Sequence, residues 1–275
     1  MRFSVTHETK YRYSGPVRLG PHLLRLTPRN SGIRLLSGRL VIEPEPSLLQ
    51  EAVDSWGNPI TRAEFEGTTD LLRVESNFEL LTAPSPANTA LDLPPLPWPV
   101  AEAGVMTPYL TQEGIDETVW EFAAGIQETA GSSAAGFLEQ LNRTLYERTD
   151  RRIRMSGDAH MPSHTLTTRS GACRDLAVLF MAVCRSAGIP ARFVSGYQAR
   201  AENSDGRRHL HAWPEVYLGE AGWRGFDPTH GTRVDDGHVA LCAAPSQADT
   251  MPIKGGFFGT AVTSTMTYDA RIVAE

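Results

Sequence analysis

Cys173, His211 and Asp227 are the residues whose types and order could do nucleophilic chemistry. Cys173 follows the small-residue turn Ser170-Gly171-Ala172 and opens an apolar stretch in which Leu176, Leu179, Phe180, Val183 and Cys184 recur at helical spacing. A cysteine in the first turn of a helix sits among backbone N–H groups that have no intrahelical acceptor, at the positive end of the helix dipole, and this favours thiolate. An acyl-transferring thiolate also needs a base to take and return a proton, and a third group to orient the base. His211 heads the run HAWPEVYL, whose alternation puts His211, Trp213, Glu215 and Tyr217 on one face of a strand and Ala212, Val216 and Leu218 on the other. Asp227, in Asp227-Pro228-Thr229, ends the next predicted strand, beyond the loop Gly219–Gly222. Antiparallel strands joined by a short loop can bring a residue near the start of the first beside one at the end of the second, so His211 and Asp227 can meet as a cross-strand pair. Singly, each has a plainer explanation: a packed small thiol, a satisfied strand histidine, a turn. Only their combination points to a nucleophile, base and orienter.

The surrounding pattern predicts the elements that must position them. From Met1 to about Leu81, short alternating runs are broken by turn signals such as Ser14-Gly15-Pro16, Glu43-Pro44-Glu45-Pro46 and Asp54-Ser55-Trp56-Gly57-Asn58-Pro59. This reads as an all-β, sandwich-like region with nothing catalytic in it. Residues 83–104 carry six of the prolines, from Pro84 to Pro99, which reads as a polyproline-like linker between a 1–82 β-rich domain and a 105–275 catalytic domain. Beyond it a helix is expected from Thr107-Pro108, then amphipathic helices around Val119–Ile126 and Phe137–Leu145. Tyr146 to Thr168 reads as irregular, with a solvated arginine run, and Met161-Pro162 argues against a helix there. After the cysteine helix come strands at Ala191–Tyr197, His209–Leu218 and Trp223–Phe226, separated by a turn at 202–208, and a closing strand at Thr260–Val273. Helices first and antiparallel strands afterwards make the fold class α+β. Pro214, lacking a ladder donor, is expected to put its strand at a sheet edge or to turn its missing N–H towards solvent.

Composition bounds the function. The 275 residues carry a formal net charge of -6, which supplies no basic field for nucleic acid or for an anionic membrane. No window approaches the apolar length of a membrane helix, and the amino terminus lacks an apolar leader core. Three widely spaced cysteines do not make a disulfide framework, so a reducing, cytoplasmic setting is expected. Cys184 and Cys242 read as buried small hydrophobes.

Three blocks, GACRDLAVLFMAVCRSAGIPARFVSGY, HAWPEVYL and GWRGFDPTHG, closely resemble the cysteine, histidine and aspartate blocks of the transglutaminase-like superfamily of papain-like cysteine enzymes. YRYSGPV, HLLRLTPR and DSWGN resemble the β-rich amino-terminal region of its bacterial members, and HVALCAAPSQADTMPIKGGFFG their carboxy-terminal block. The resemblance implies a papain-like catalytic core in which Cys173 is nucleophile, His211 general base and acid, and Asp227 the orienting carboxylate. The Cys173 N–H would be one oxyanion donor. Asp175 follows the family pattern beside the nucleophile, and equally suits the first turn of a helix. Ala244-Pro245-Ser246-Gln247 departs from the family's usual Gly-Arg-Asp run and alters a pocket contact. The implied activity is cysteine-dependent acyl transfer on peptide or protein amides, through a thioester and without a cofactor. Water as acceptor makes a peptidase or amidase; an amine makes a protein-glutamine transglutaminase. A peptide-binding relative without catalysis is a third reading, and an intact trio speaks against it. A zinc site drawn from Cys173, His209, His211, His230 and His238 lacks the close ligand pairs usual for zinc, and Val234-Asp235-Asp236-Gly237 is too short for a calcium loop.

Overall fold

The computed structural model describes residues 1–84, 93–99, 104–154, 156–200 and 208–275. In chain order the strands and helices are β1 (Arg2–Leu19), β2 (His22–Leu24), β3 (Ile33–Glu43), β4 (Leu48–Val53), β5 (Pro59–Glu64), β6 (Thr69–Thr82), α1 (Glu117–Ala130), α2 (Ala134–Arg148), β7 (Asp150–Arg151), α3 (Pro162–Thr168), β8 (Ser170–Gly171), α4 (Cys173–Ser186), β9 (Ala191–Gln198), β10 (His211–Tyr217), β11 (Trp223–Asp227), β12 (Thr232–Arg233), β13 (His238–Ala244), β14 (Ile253–Lys254), β15 (Phe257–Phe258) and β16 (Ser264–Ala274). The architecture is α+β: an all-β region joined to a core of helices and an antiparallel sheet.

The β region has two sheets. One is ordered β15-β1-β6-β3, with β16 also on β1, and the other β14-β2-β5-β4. The alternation in β1 buries Phe3, Val5, His7 and Thr9 on one side, and β6 buries Leu72, Val74, Ser76, Phe78 and Leu80. The core sheet is ordered β12-β11-β10-β9-β13 and is antiparallel at each pairing. Its two faces have different partners. Ala191, Phe193, Ala212, Val216, Leu218 and Phe226 pack in one cluster with the apolar faces of α1, α2 and α4. Tyr197 of β9 and Val239, Leu241 and Cys242 of β13 pack instead with Phe3, Val5, Phe78 and Leu80 of the β region. The core sheet is thus sandwiched between helices and the first β sheet, and each fully buried aliphatic or aromatic side chain in these layers contributes about 1.5–3 kcal/mol.

Several details differ from expectation. The closing strand pairs with β1 over Phe3↔Ala274 to Tyr13↔Ser264. The last part of the expected 105–275 unit therefore completes the first β sheet, and the two regions share a core instead of meeting at a linker. Within the proline-rich segment, Leu96 and Trp98 are buried against the helices and Pro95 bridges to Ser133, so this part is docked and not a solvated spacer. Residues 85–92 and 100–103 of that segment, and the expected turn at 202–208 apart from Arg208, lie outside the described residues. Thr107-Pro108 opens only a single 3-10 turn, Thr107–Leu110. Pro162 begins α3 where an irregular stretch was expected, because proline in the first helical position forfeits no hydrogen bond. Pro214 lies in a strand with neighbours on both sides, not at an edge. The β9 ladder runs from His211 to Val216, whereas the β11 ladder covers only Glu215 to Tyr217, so Pro214 falls one residue beyond the shorter one.

Candidate active site

α4 begins at Cys173, and the packing of its Leu176, Leu179, Phe180 and Val183 fixes that end against the core sheet. The turn before Cys173 is held by Asp175, a fully buried carboxylate at the third helical position. Its Oδ2 accepts the Ala172 N–H at 2.7 Å, and its Oδ1 accepts the His160 N–H at 2.7 Å and an Arg154 N–H at 2.8 Å. Asp175 is more than a dipole-friendly acid, since it ties Arg154 and His160 to the residue preceding Cys173. Arg174 adds to this by donating to the carbonyls of Arg154 and Ser156 at 2.7 and 2.6 Å.

The three cysteines sit in different environments. Cys173 is half-buried, whereas Cys184 and Cys242 are buried. Burial pushes the Cys184 thiol well above its ordinary range and that of Cys242 up to about 12, which removes both as nucleophiles near neutral pH.

His211 starts β10, opposite Gly196 of β9, and is 1% exposed. Asp227 ends β11 and is 0% exposed. His211 Nε2 lies 2.9 Å from Asp227 Oδ2. The sequence separation of 16 works by a diagonal contact, because the β10–β11 register pairs Glu215 with Gly225 and its continuation sets Asp227 opposite Trp213. His211 and Cys173 both line a cleft of about 320 Å³. The far wall of that cleft belongs to the β region: Thr9 and Tyr11 of β1 and their cross-strand partners Tyr268 and Met266 of β16. His209 lines the cleft as well, and Gln247, from the departing carboxy-terminal block, both lines it and accepts the Ala159 N–H at 2.7 Å.

Asp227 gathers two histidines whose partner the sequence did not reveal. His230 Nδ1 lies 2.9 Å and His238 Nε2 3.1 Å from the same Oδ2. Oδ1 accepts the Thr229 and His230 N–H groups at 3.0 and 3.3 Å. Burial would raise the carboxyl, but the charge of His211 and the three histidine hydrogen bonds outweigh it and hold Asp227 well below the usual carboxylate range. Ligand atoms of His211, Asp227 and His230 lie within 4.8 Å of one another, close enough to consider a metal. The spacing fits direct hydrogen bonding: His211 Nε2 and His230 Nδ1 each lie 2.9 Å from Asp227 Oδ2, the separation of a charge-assisted N–H···O bond. Among the described residues, no helix is long and apolar enough to cross a membrane.

With this geometry in place, comparison with known proteins gives the lineage. Residues 3–80 match the bacterial transglutaminase-like N-terminal region and residues 121–228 the transglutaminase-like superfamily. The chain belongs to the transglutaminase-like superfamily. An uncharacterized protein of Mycobacterium tuberculosis is 28% identical over 290 residues, covering 99% of this chain and 92% of that protein. A protein-glutamine gamma-glutamyltransferase of Pseudomonas aeruginosa is 39% identical over 89 residues, which cover 29% of this chain and 13% of that one. Among solved structures, one from Cytophaga hutchinsonii named as a putative cysteine protease superposes with a TM-score of 0.69 at 18% identity, covering 100% of this chain and 91% of that one. That likeness establishes the fold, with its β region and transglutaminase-like core in one chain.

Proposed function

We propose that the protein is a cysteine-dependent acyl-transfer enzyme acting on peptide or protein amides, with Cys173 as nucleophile, His211 as general base and acid and Asp227 as orienting carboxylate. The buried His211–Asp227 hydrogen bond of 2.9 Å, in a protein whose His211 shares a cleft with Cys173, carries this reading. With Nε2–H committed to Asp227, the Nδ1 side of the ring is the one that takes the thiol proton. The Cys173 thiolate adds to the amide carbonyl carbon, forming a C–S bond and moving the π electrons onto oxygen. Cys173 N–H, the first of its helix and without an intrahelical acceptor, is placed to stabilise that oxyanion. Collapse breaks the C–N bond, and the imidazolium delivers its proton to the departing amine. Water then attacks the thioester while His211 takes its proton, and the acid and the free thiol are released.

Water is the favoured acceptor because the half-buried Cys173 sits in a cleft that reaches solvent. An amine acceptor shares every step up to the thioester. The deciding experiment incubates the protein with a panel of glutamine-containing peptides and excess primary amine, and reads by mass spectrometry whether products carry hydroxyl or amine. Hydrolysis of backbone or side-chain amide is expected. Activity that survives in Cys173→Ala would overturn the assignment of the nucleophile.

A further inference from the structure

We propose that His230 and His238 are positioning residues for this reaction, each donating an N–H to Asp227 so that its carboxylate is pinned in the orientation that holds His211. The inference rests on the acyl-transfer reading above for its purpose, but its geometry stands apart from it.

The tautomer of each ring follows from what its other nitrogen meets. Gln198 Oε1 accepts the Arg200 N–H at 2.8 Å, which fixes the amide and turns its NH₂ towards His230 Nε2, 3.4 Å away. His230 Nε2 is therefore an acceptor, and the ring proton resides on Nδ1, the atom 2.9 Å from Asp227 Oδ2. For His238, the Asp235 N–H points at Nδ1 at 3.5 Å, so the ring proton resides on Nε2, the atom 3.1 Å from the same oxygen. Two imidazoles, from the turn after β11 and from the start of β13, thus converge on one carboxylate oxygen that also serves His211. Backbone N–H groups of Thr229 and His230 hold the other oxygen. A carboxylate bonded from both ends cannot rotate about its terminal bond without losing hydrogen bonds to a buried charge, which are among the costliest to leave unmade. Its remaining direction is the one along which His211 Nε2–H lies, which keeps Nδ1 directed at the proton it must take.

Side-chain amides provide atom-specific mimics. The Nδ2 of asparagine replaces a histidine Nδ1 donor, and the Nε2 of glutamine a histidine Nε2 donor. The test compares His230→Ala, His230→Asn, His238→Ala and His238→Gln with the wild type in two assays that need no identified substrate. The first is the rate of iodoacetamide alkylation at Cys173, read by mass spectrometry. The second is the ring ¹⁵N shifts of the histidines, which report tautomers. Each alanine variant should lower the alkylation rate about tenfold, the scale set by losing one hydrogen bond to a buried charge, and the matched amide should restore most of it. The ¹⁵N spectra should show His230 protonated at Nδ1 and His238 at Nε2. Alanine variants that react at the wild-type rate, amides no better than alanine in variants of unchanged melting temperature, or the opposite tautomers would each overturn the proposal. A wild-type Cys173 no more reactive than a free model thiol would count against the acyl-transfer reading instead, and the tautomer assay would still decide the network.

Discussion

Asp175 Oδ2 accepts the N–H of Ala172 at 2.7 Å, so the residue just before Cys173 is tied to the third residue of the helix that Cys173 opens. The other oxygen of the same carboxylate holds His160 N–H and Arg154, and cleft-lining residues of the 152–158 stretch take their place from that anchor. Removing the carboxylate strands the buried N–H of Ala172, the part-buried N–H of His160 and an arginine that is 27% exposed. Asp175→Ala should lose about 3 kcal/mol of unfolding free energy in a urea titration and slow Cys173 alkylation, whereas Asp175→Asn, which keeps an acceptor, should lose less. A loss below about 1 kcal/mol, the worth of an exposed pair, would mean that the carboxylate does not hold the turn.

Gly196 is paired with His211 across β9 and β10. A methyl group there would drive into the Val239 carbonyl and come within 2.7 Å of the Trp213 ring. Neither neighbour is the free end of a flexible chain. Gly196→Ala should therefore cost about 3 kcal/mol, the upper end of the overpacking range, and displace the strand that mounts His211. Chemical denaturation and Cys173 alkylation should fall together; a variant with normal stability and reactivity would show that the strands can part there freely.

The mounts of Cys173, His211 and Asp227 were legible in the sequence because each depends on local order: a helix start for Cys173, period-two alternation for His211 and a strand end for Asp227. What the sequence hid was pairing between distant segments. β16 has the strand pattern, but its partner β1 lies at the opposite end of the chain, and no local period encodes that choice. His238 was visible only as one histidine among several, and it is the sheet order, with β13 beside β9, that carries it to Asp227. α3 was missed because Pro162 was weighed as a breaker when its position at the helix start makes it neutral. Asn58 makes the same point. It accepts Ala243 N–H at 2.8 Å and donates to Ala243 C=O at 3.0 Å, so one side chain pairs with β13 as a strand would, 185 residues away.

His7 gives the structure a pH dependence of known sign. Burial lowers its imidazole from the ordinary 6.5 to about 4, against an opposing pull from Asp269. The Tyr197 hydroxyl, which burial keeps protonated, lies 2.7 Å from Nδ1, and Thr9 Oγ1 lies 3.2 Å from Nε2. These partners suit a neutral ring. Between pH 6.5 and 4 the unfolded chain binds the proton that the folded chain refuses, so stability is full above this window and falls as the pH drops through it. His7 alone should remove about 3 kcal/mol across the window. Urea titrations of wild type and His7→Gln at pH 7 and pH 4.5 should differ accordingly, the variant losing less on acidification. Parallel losses in the two proteins would show that His7 is not the group responsible.

Two cross-strand pairs of the β region, Thr9 with Tyr268 and Tyr11 with Met266, line the cleft that also holds Cys173 and His211. Under the proposed acyl transfer, side chains next to the reacting carbonyl are expected to meet these tyrosines and this methionine in the cleft. Such a wall favours bulky apolar side chains, because it lets them leave water without stranding a polar group. Trimming it should change selection and not chemistry. Tyr268→Ala and Met266→Ala should reduce the preference in kcat/KM for peptides with a large apolar residue beside the scissile amide over those with alanine by about tenfold, the discrimination that a few buried methylene groups provide. The rate of Cys173 alkylation by iodoacetamide, a probe too small to reach the wall and the nucleophile together, should stay at the wild-type value. If the two variants keep the wild-type ranking of peptides, selection is made elsewhere in the cleft; if alkylation falls with it, the wall supports the nucleophile's fold and is not a reader of substrate.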